Sequence, residues 1–306
     1  MTGDWNDGNA TLDLMRMVLK TEAPVDLVAV TGDTACLNRT CYRQSVRPME
    51  EAGVPWAFIN GNHDLGDRSW ELGYDMNRSL FPLSITRSLF NGTNSTYMHS
   101  VLGADGSETA RANLWFFDSG ADNCLNVQGY NCVSEAQIEW YRDTAATEAA
   151  RAAAYGMGFV HIPLQEMLDL WNNKKTTGFN RDVICCSSVN TGLYSALVQT
   201  GGVDAVFSGH DHYNDFFGQL DDSGILVGYG RKTGMSGRTG GLADMGGRGA
   251  RVFLLTDTGG DDGVAMETWV RREDGTAPAE PQNPQRPPID KAQLCCGSTA
   301  QCPWQP

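Results

Sequence analysis

The sequence predicts an α/β layered fold, and three observations carry that expectation. Apolar runs of strand length recur along the chain. They alternate with stretches whose apolar residues fall at helical spacing. The runs are continuous rather than alternating, which marks strands buried on both faces. A chain of 306 residues is long enough to bury such a core as one large domain.

The elements follow in order. ATLDLMRMVLKTEA places Leu12, Met15 and Leu19 on one helical face with Val18 beside them, and Pro24 closes it. VDLVAV is the first strand, and a polar helical stretch from about Tyr42 to Ala52 leads into the second, VPWAFIN. Later strands are read in NLWFF, GMGFV, VDAVFS, ILVGYG and ARVFLL. SEAQIEWYRDTAATEAARAAA reads as one strong helix, with Ser134 as N-cap and Gln137 at the N3 position, and TGLYSALVQT as another. Residues 228–249 hold nine glycines with Arg231, Lys232, Arg238 and Arg248. They are expected to form a solvated surface loop rather than an element, although Arg231 or Lys232 could be offered to a phosphate. From about Glu273 onward seven of the twelve prolines accumulate. The expected division is therefore a domain over 1–272 and a Pro-rich, Cys-containing tail over 273–306, extended or disordered.

Composition narrows the partners. The formal charge of −14 argues against a nucleic-acid binder, which needs a basic face. No run of 18 apolar residues occurs, so no membrane span is expected. Small anionic substrates stay open, because a bound divalent ion can dominate the local field. Nine cysteines are many for a reducing compartment. The spacings Cys36/Cys41 and Cys124/Cys132 suit local disulfide loops, while no CxxC pair suggests a zinc ribbon. Sequons at Asn9, Asn38, Asn77, Asn91 and Asn94 point the same way, to a secreted or vacuolar glycoprotein. No signal-peptide core opens the chain.

The chemistry concentrates at strand ends. Four of the five histidines lie in short motifs that close apolar strands: Thr31-Gly32-Asp33, Gly61-Asn62-His63-Asp64, His161, and Gly209-His210-Asp211-His212. The loops leaving parallel strands converge at their carboxyl ends, so these motifs are expected on the same side of one sheet. A glycine before three of the four lets the backbone turn sharply beside an ion. Asp33 offers a carboxylate able to bridge two metals, Asn62 a neutral carbonyl oxygen, and His161, His210 and His212 imidazole nitrogens. Such mixed N/O donors suit Zn²⁺, Mn²⁺ or Fe²⁺, whereas Ca²⁺ wants oxygens throughout. Any one motif alone reads as an ordinary turn or a packed histidine; the four in order are much harder to explain that way. Asp118, closing WFFDSG, reads either as support for the site or as a strand-end turn residue. His99, in YMHS, has no partner motif and reads as structural. Cys185 and Cys186 adjoin no catalytic pattern.

The ordered set GD…GNHD…H…GHDH resembles the calcineurin-like phosphoesterase superfamily. More narrowly it is similar to the plant and fungal branch of purple acid phosphatase-like proteins, through LMRMVLKTEAPVDLVAVTGD, LWFFDSG, FVHIPLQEM and VFSGHDHYNDF. The resemblance spans about Asn9 to Leu255. It implies a four-layer αββα sandwich of two mixed sheets, the metallophosphatase fold, and a two-metal site that hydrolyses small-molecule or protein phosphoesters. Asp33 would bridge the ions, Asn62, His161 and His210 would complete one site, and His212 would serve the other. His63 would protonate the leaving group or steady the phosphate, and Asp64 would orient His63. Purple members carry a tyrosine three residues after the bridging aspartate; Cys36 stands there in this chain, so neither Fe³⁺ nor a purple colour is expected. The family's first strand, ending in Asp-x-His, also has no counterpart before Asp33. The sequence is therefore expected to lack its first strand, to be N-terminally incomplete, and to leave the second of its two divalent-metal sites (Fe, Zn or Mn) incomplete. Phosphomonoester hydrolysis is the leading expectation. Phosphodiester or pyrophosphate hydrolysis on the same site, or a non-catalytic remnant holding one metal, are the alternatives.

Overall fold

The computed structural model describes residues 8–34, 36, 39–64, 81–87, 95–103, 108–220, 222–235, 242–259 and 263–283. The first apolar stretch forms helix α1 (Gly8–Thr21), followed by strand β1 (Val28–Val30), helix α2 (Arg39–Ala52) and strand β2 (Trp56–Phe58). Strands β1 and β2 pair in parallel, Val28 opposite Trp56 and Val30 opposite Phe58. Leu12, Met15 and Leu19 of α1 and Tyr42, Val46 and Met49 of α2 bury one face of that pair. Its other face turns inward.

Strands β3 (Tyr97–Leu102), β4 (Ala110–Phe117), β5 (Tyr155–Val160), β6 (Thr176–Thr177), β7 (Ala205–Ser208), β8 (Phe217–Gln219), β9 (Leu226–Tyr229) and β12 (Gln282–Asn283) make one eight-stranded sheet. Its order is β12-β6-β8-β9-β7-β5-β4-β3, with the central strands β4, β5, β7 and β9 parallel. Strands β10 (Gly249–Asp257) and β11 (Val264–Arg272) form an antiparallel hairpin. The period of two along a strand explains why the apolar runs are continuous. Leu114 and Phe116, Met157 and Phe159, and Ala205 and Phe207 face Ala57, Ile59, Phe253 and Met266. Trp115, Phe117, Val160 and Val206 face the opposite way, onto the helices α3 (Glu135–Ala145), α5 (Glu166–Asn173) and α6 (Leu193–Thr200). The layers run helix, sheet, sheet, helix, the four-layer sandwich that the resemblance implies.

Three readings change. The single helix expected from Ser134 is two. The Ser134–Gln137 capping box starts α3 as expected, but Thr147 then accepts from the Ala150 amide at 3.3 Å and caps a separate helix α4 (Glu148–Arg151). The glycine-rich stretch is a loop, but it does not leave its basic residues in water. Arg231 and Lys232 are both 2% exposed. Arg231 pairs with the buried Asp215 and donates to the carbonyls of Met245 and Gly247. Thirdly, the strand-end motifs come from two sheets: β1 and β2 carry the first two, and β5 and β7 of the eight-stranded sheet carry the others.

Residues 273–283 continue from the hairpin along the domain. Glu280 pairs with Arg251 at 2.7 Å, Gly178 donates to the Pro281 carbonyl, and β12 joins β6. Residues 284–306 lie outside the described residues, as do the sequons at Asn38, Asn77, Asn91 and Asn94, whereas Asn9 is exposed in α1. Among the described residues no helix is long and apolar enough to cross a membrane.

Candidate metal centre

Two loops must come unusually close for this centre to form. Gly32 has φ +90°, and a Cβ there would lie 2.5 Å from the Gly61 nitrogen and 2.6 Å from His161 Nδ1. A Cβ on Gly61 would lie 2.2 Å from Asp33 Oδ1 and 2.3 Å from the Asp33 nitrogen. Only glycine permits that approach. Asp33 and His210 themselves adopt φ of 55° and 70°, the left-handed region that costs a side-chain-bearing residue of order 1 kcal/mol or more. Hydrogen bonds hold the first of them there. The Asp64 carboxylate accepts from the Asp33 amide at 2.6 Å, the Gly61 amide at 2.9 Å and the Thr34 hydroxyl at 2.7 Å. The His63 amide donates to Asp33 Oδ1 at 3.0 Å. Asp64, expected to orient His63, is the acceptor that binds both loops together.

Four donors converge on one point. Asn62 Oδ1 is 3.1 Å from His161 Nε2 and 3.1 Å from His210 Nδ1, and Asp33 Oδ2 is 3.2 Å from His161 Nε2. The ligand atoms of Asp33, His161 and His210 all lie within 4.8 Å of one another. His161 is fully buried, and its Nδ1 lies 2.6 Å from the Thr31 carbonyl. A carbonyl only accepts, so Nδ1 carries a proton and Nε2 is the nitrogen turned toward the other donors. That is the arrangement of a metal-binding histidine held by a backbone partner. Lone pairs crowded this way repel one another unless a cation or a proton sits among them. The donor set fits a divalent ion of the Zn, Mn or Fe kind.

Without an ion, charge is shared between Asp33 and His161. Burial acts to raise the Asp33 pKa, but the charge and hydrogen bond of His161 outweigh it and hold the carboxyl well below its usual range. Burial acts to lower His161, and Asp33 outweighs that in turn, pushing the imidazole up to about 9. Burial and the neighbouring His161 keep His210 neutral, well below its ordinary value. Asp64 rises to about 6, through burial and the Asp33 charge. A metal must therefore displace a proton from His161 Nε2. The sign follows: affinity for Mn²⁺ rises with pH, by about tenfold per unit below the His161 pKa. Calorimetric titration between about pH 6 and about pH 8, in buffers of differing ionisation enthalpy, should show this and the release of about one proton. Uptake independent of pH would contradict the pairing.

The remaining residues divide around this point. His63 is exposed at its rim. His212 does not join the donor cluster; its Nδ1 lies 3.4 Å from the Nζ of buried Lys232. Asp118 is both support and turn. It accepts from Asn60 Nδ2, from the amide and hydroxyl of Ser95, and from the Gly120 amide, all at 2.8 to 2.9 Å. Asp211, between the two histidines, is buried and accepts from the Tyr229 hydroxyl at 2.5 Å and the Cys185 amide at 3.1 Å. Tyr130 packs edge-on against His210, ring centroids 4.3 Å apart. Sequence reasoning missed Tyr130, and nothing in QGYNC marks it. The loop that carries it is closed by the Cys124–Cys132 disulfide. Cys36 is bonded to Cys41 and is no ligand, and Cys186 is also disulfide-bonded, whereas Cys185 is free and buried. His99 lies on β3, away from the cluster.

Layered sheets with these donors at their strand ends define a metallophosphoesterase fold. Residues 1–214 match the family model described as calcineurin-like phosphoesterase, and the chain belongs to that family. It is 33% identical over 253 residues to the Arabidopsis thaliana protein named "Probable inactive purple acid phosphatase 28", covering 74% of this chain and 62% of that one. "Probable inactive purple acid phosphatase 29" from the same plant is 28% identical, over 74% and 64%. Phosphatase DCR2 of Saccharomyces cerevisiae is 26% identical, over 67% of this chain and 39% of its own. The chain thus spans less than two thirds of the length of these relatives. A crystal structure of a Thermus thermophilus protein, TT1561, aligns with TM-score 0.44 at 11% identity, over 74% of this chain and 86% of that one.

Proposed function

We propose that this chain hydrolyses phosphoesters, phosphomonoesters foremost, at a centre that needs a divalent metal. The observation that carries the reading is the convergence of Asp33, Asn62, His161 and His210 at the carboxyl ends of β1, β2, β5 and β7. When bound there, a divalent cation supplies Lewis-acid charge to a phosphoryl oxygen and acidifies water. The protein's own contribution is positioning. Asp64 and Asp118 fix the two loops, Thr31 fixes the His161 tautomer, and Tyr130 limits the rotation of His210. Phosphoryl transfer asks for little more than positioning and charge, so few residue types suffice. The exposure of His63 beside these ligands supports giving it the role of proton donor to the leaving oxygen. The disulfides Cys36–Cys41 and Cys124–Cys132 support a secreted or vacuolar setting.

The test removes metal by chelation, then adds Mn²⁺ or Zn²⁺ and assays p-nitrophenyl phosphate beside bis(p-nitrophenyl) phosphate. Metal-restored cleavage, faster on the monoester, is the expected result. Metal bound with neither ester cleaved would favour the reading as a non-catalytic metal-binding protein. His63→Ala should keep the metal, by elemental analysis, and slow turnover by about 10²-fold or more. Metal loss in that variant would place His63 among the ligands instead.

A further inference from the structure

The loop after β4 leaves the sheet at the same end as the strand ends that carry His161 and His210, because β4, β5 and β7 run parallel. The chain folds it into a small closed lobe. The Asn123 amide donates to the Gly129 carbonyl at 2.7 Å, the Asn131 amide donates to the Ala121 carbonyl at 3.0 Å, and the Cys124–Cys132 disulfide crosses it. Ser188 anchors it from outside, donating from its hydroxyl to the carbonyls of Val127 and Tyr130 at 3.1 and 3.0 Å. Tyr130, opposite Asp122 within the lobe, packs on His210. The lobe is thus a fixed neighbour of the centre.

Its tip holds a conformation that the sequence makes costly. Asn123, Leu125 and Asn126 have φ of 62°, 51° and 63°. Asparagine tolerates the left-handed region, whereas a bulky leucine seldom enters it. Among the described residues, the other side-chain-bearing positions with positive φ are Asp33 and His210, both in the centre. Leu125 is also 71% exposed, more than any other large apolar side chain among the described residues, and Val127 beside it is 46% exposed. An exposed leucine is ordinary by itself. Leu125 combines exposure with strain, so no packing within the chain offsets its cost. Glycine or asparagine would sit there more easily, and the fold alone does not ask for leucine. Strain of this kind gathers where a protein holds a ligand.

We infer that Leu125 and Val127 form an apolar wall that receives the organic group esterified to the phosphate, so that the centre favours aryl and other apolar phosphoesters over small hydrophilic ones. The inference rests on the phosphoester reading above and deepens it by naming a substrate class. Reach supports it. Leu125 lies three residues past Asp122, and three residues span at most about 10 Å, so the tip stays near the Tyr130–His210 contact. A phosphoryl group held by the buried donors projects its ester group away from them, toward the rim where this lobe stands. Sites for small ligands commonly fix one end by polar groups and the remainder by apolar contact.

The experiment loads the 306-residue chain with Mn²⁺ and measures binding of phenylphosphonate and methylphosphonate by calorimetry. The two share a phosphoryl head and differ in the organic group. The wild type should bind phenylphosphonate about tenfold more tightly. Leu125→Asn and Val127→Ser should each remove most of that preference, and Leu125→Met should keep it. Leu125→Asn should melt at or above the wild-type temperature, because asparagine relieves the positive φ. Equal wild-type affinity for the two phosphonates, an unchanged preference in Leu125→Asn, or a lower melting temperature in that variant would each overturn the proposal. So would wild-type self-association, read by sedimentation, that Leu125→Asn abolishes, because a second copy would then be the occupant. Phenyl preference with p-nitrophenyl phosphate left uncleaved would sink the hydrolase reading and leave the wall standing. Cleavage without phenyl preference would do the reverse.

Discussion

Replacing His161 with alanine is expected to strip the centre of metal and reduce hydrolysis below detection. The ring is fully buried, and its Nε2 faces both Asn62 Oδ1 and Asp33 Oδ2. Its loss therefore removes one of the four converging donors. Residues that merely orient a ligand cost about 10- to 100-fold in metal affinity when removed, so a ligand itself should cost more. Asn62→Ala and His210→Ala should act in the same direction, because Asn62 Oδ1 sits within 3.1 Å of both histidine nitrogens. The fold has its own response. His161→Ala leaves a cavity and an unpaired Thr31 carbonyl, which together cost about 2–4 kcal/mol. Elemental analysis at a temperature well below the melting transition separates the two effects. Metal retained at one ion per chain in His161→Ala would remove His161 from the ligand set.

Gly61→Ala should be as damaging, for a steric reason. The new Cβ would press on Asp33 Oδ1 at 2.2 Å, the Asp33 nitrogen at 2.3 Å and His161 Cε1 at 2.8 Å. One contact is backbone and another is a buried ring, so neither can swing aside and the loops must part. Overpacking of this kind costs about 3 kcal/mol. In a protein of this size that lowers the melting temperature by roughly 6–12 °C. The hydrogen bonds that Asp64 makes to both loops loosen with it, so metal affinity should fall too. Gly53→Ala is the control. Gly53 has φ +69° but nothing within 4 Å of an added Cβ, so only the conformational cost of about 1–2 kcal/mol applies and metal binding should persist. Gly61→Ala melting and binding like the wild type would show that the loops do not need their close approach.

Much of the centre is legible in the sequence because its chemistry needs particular residues at strand ends. Gly32-Asp33, Gly61-Asn62-His63 and His161 each follow an apolar run, and that order alone places them where loops converge. The helix start at Ser134 is legible for the same local reason, since a capping box is written within four residues. What stays hidden depends on contacts distant in sequence. Which of two sheets carries each motif is fixed by strand pairing, which no single run encodes. Lys232 and His212 are twenty positions apart, and only burial of the glycine-rich loop brings them together. Arg231 reads as solvated because its partner Asp215 is sixteen residues earlier on another segment. Thr147 reads as a helix-interior residue because the alanines around it propagate a helix well, and that pattern hides its competing side-chain bond to the Ala150 amide. The short strands β6, β8 and β12 carry no apolar periodicity of their own and exist through pairing alone.

Crystals of the 306-residue chain grown with Mn²⁺ and measured at an anomalous wavelength test the central claim most directly. The account predicts a strong anomalous peak among Asp33, Asn62, His161 and His210. A peak held by other residues, or no peak under conditions that saturate the protein in solution, would contradict it.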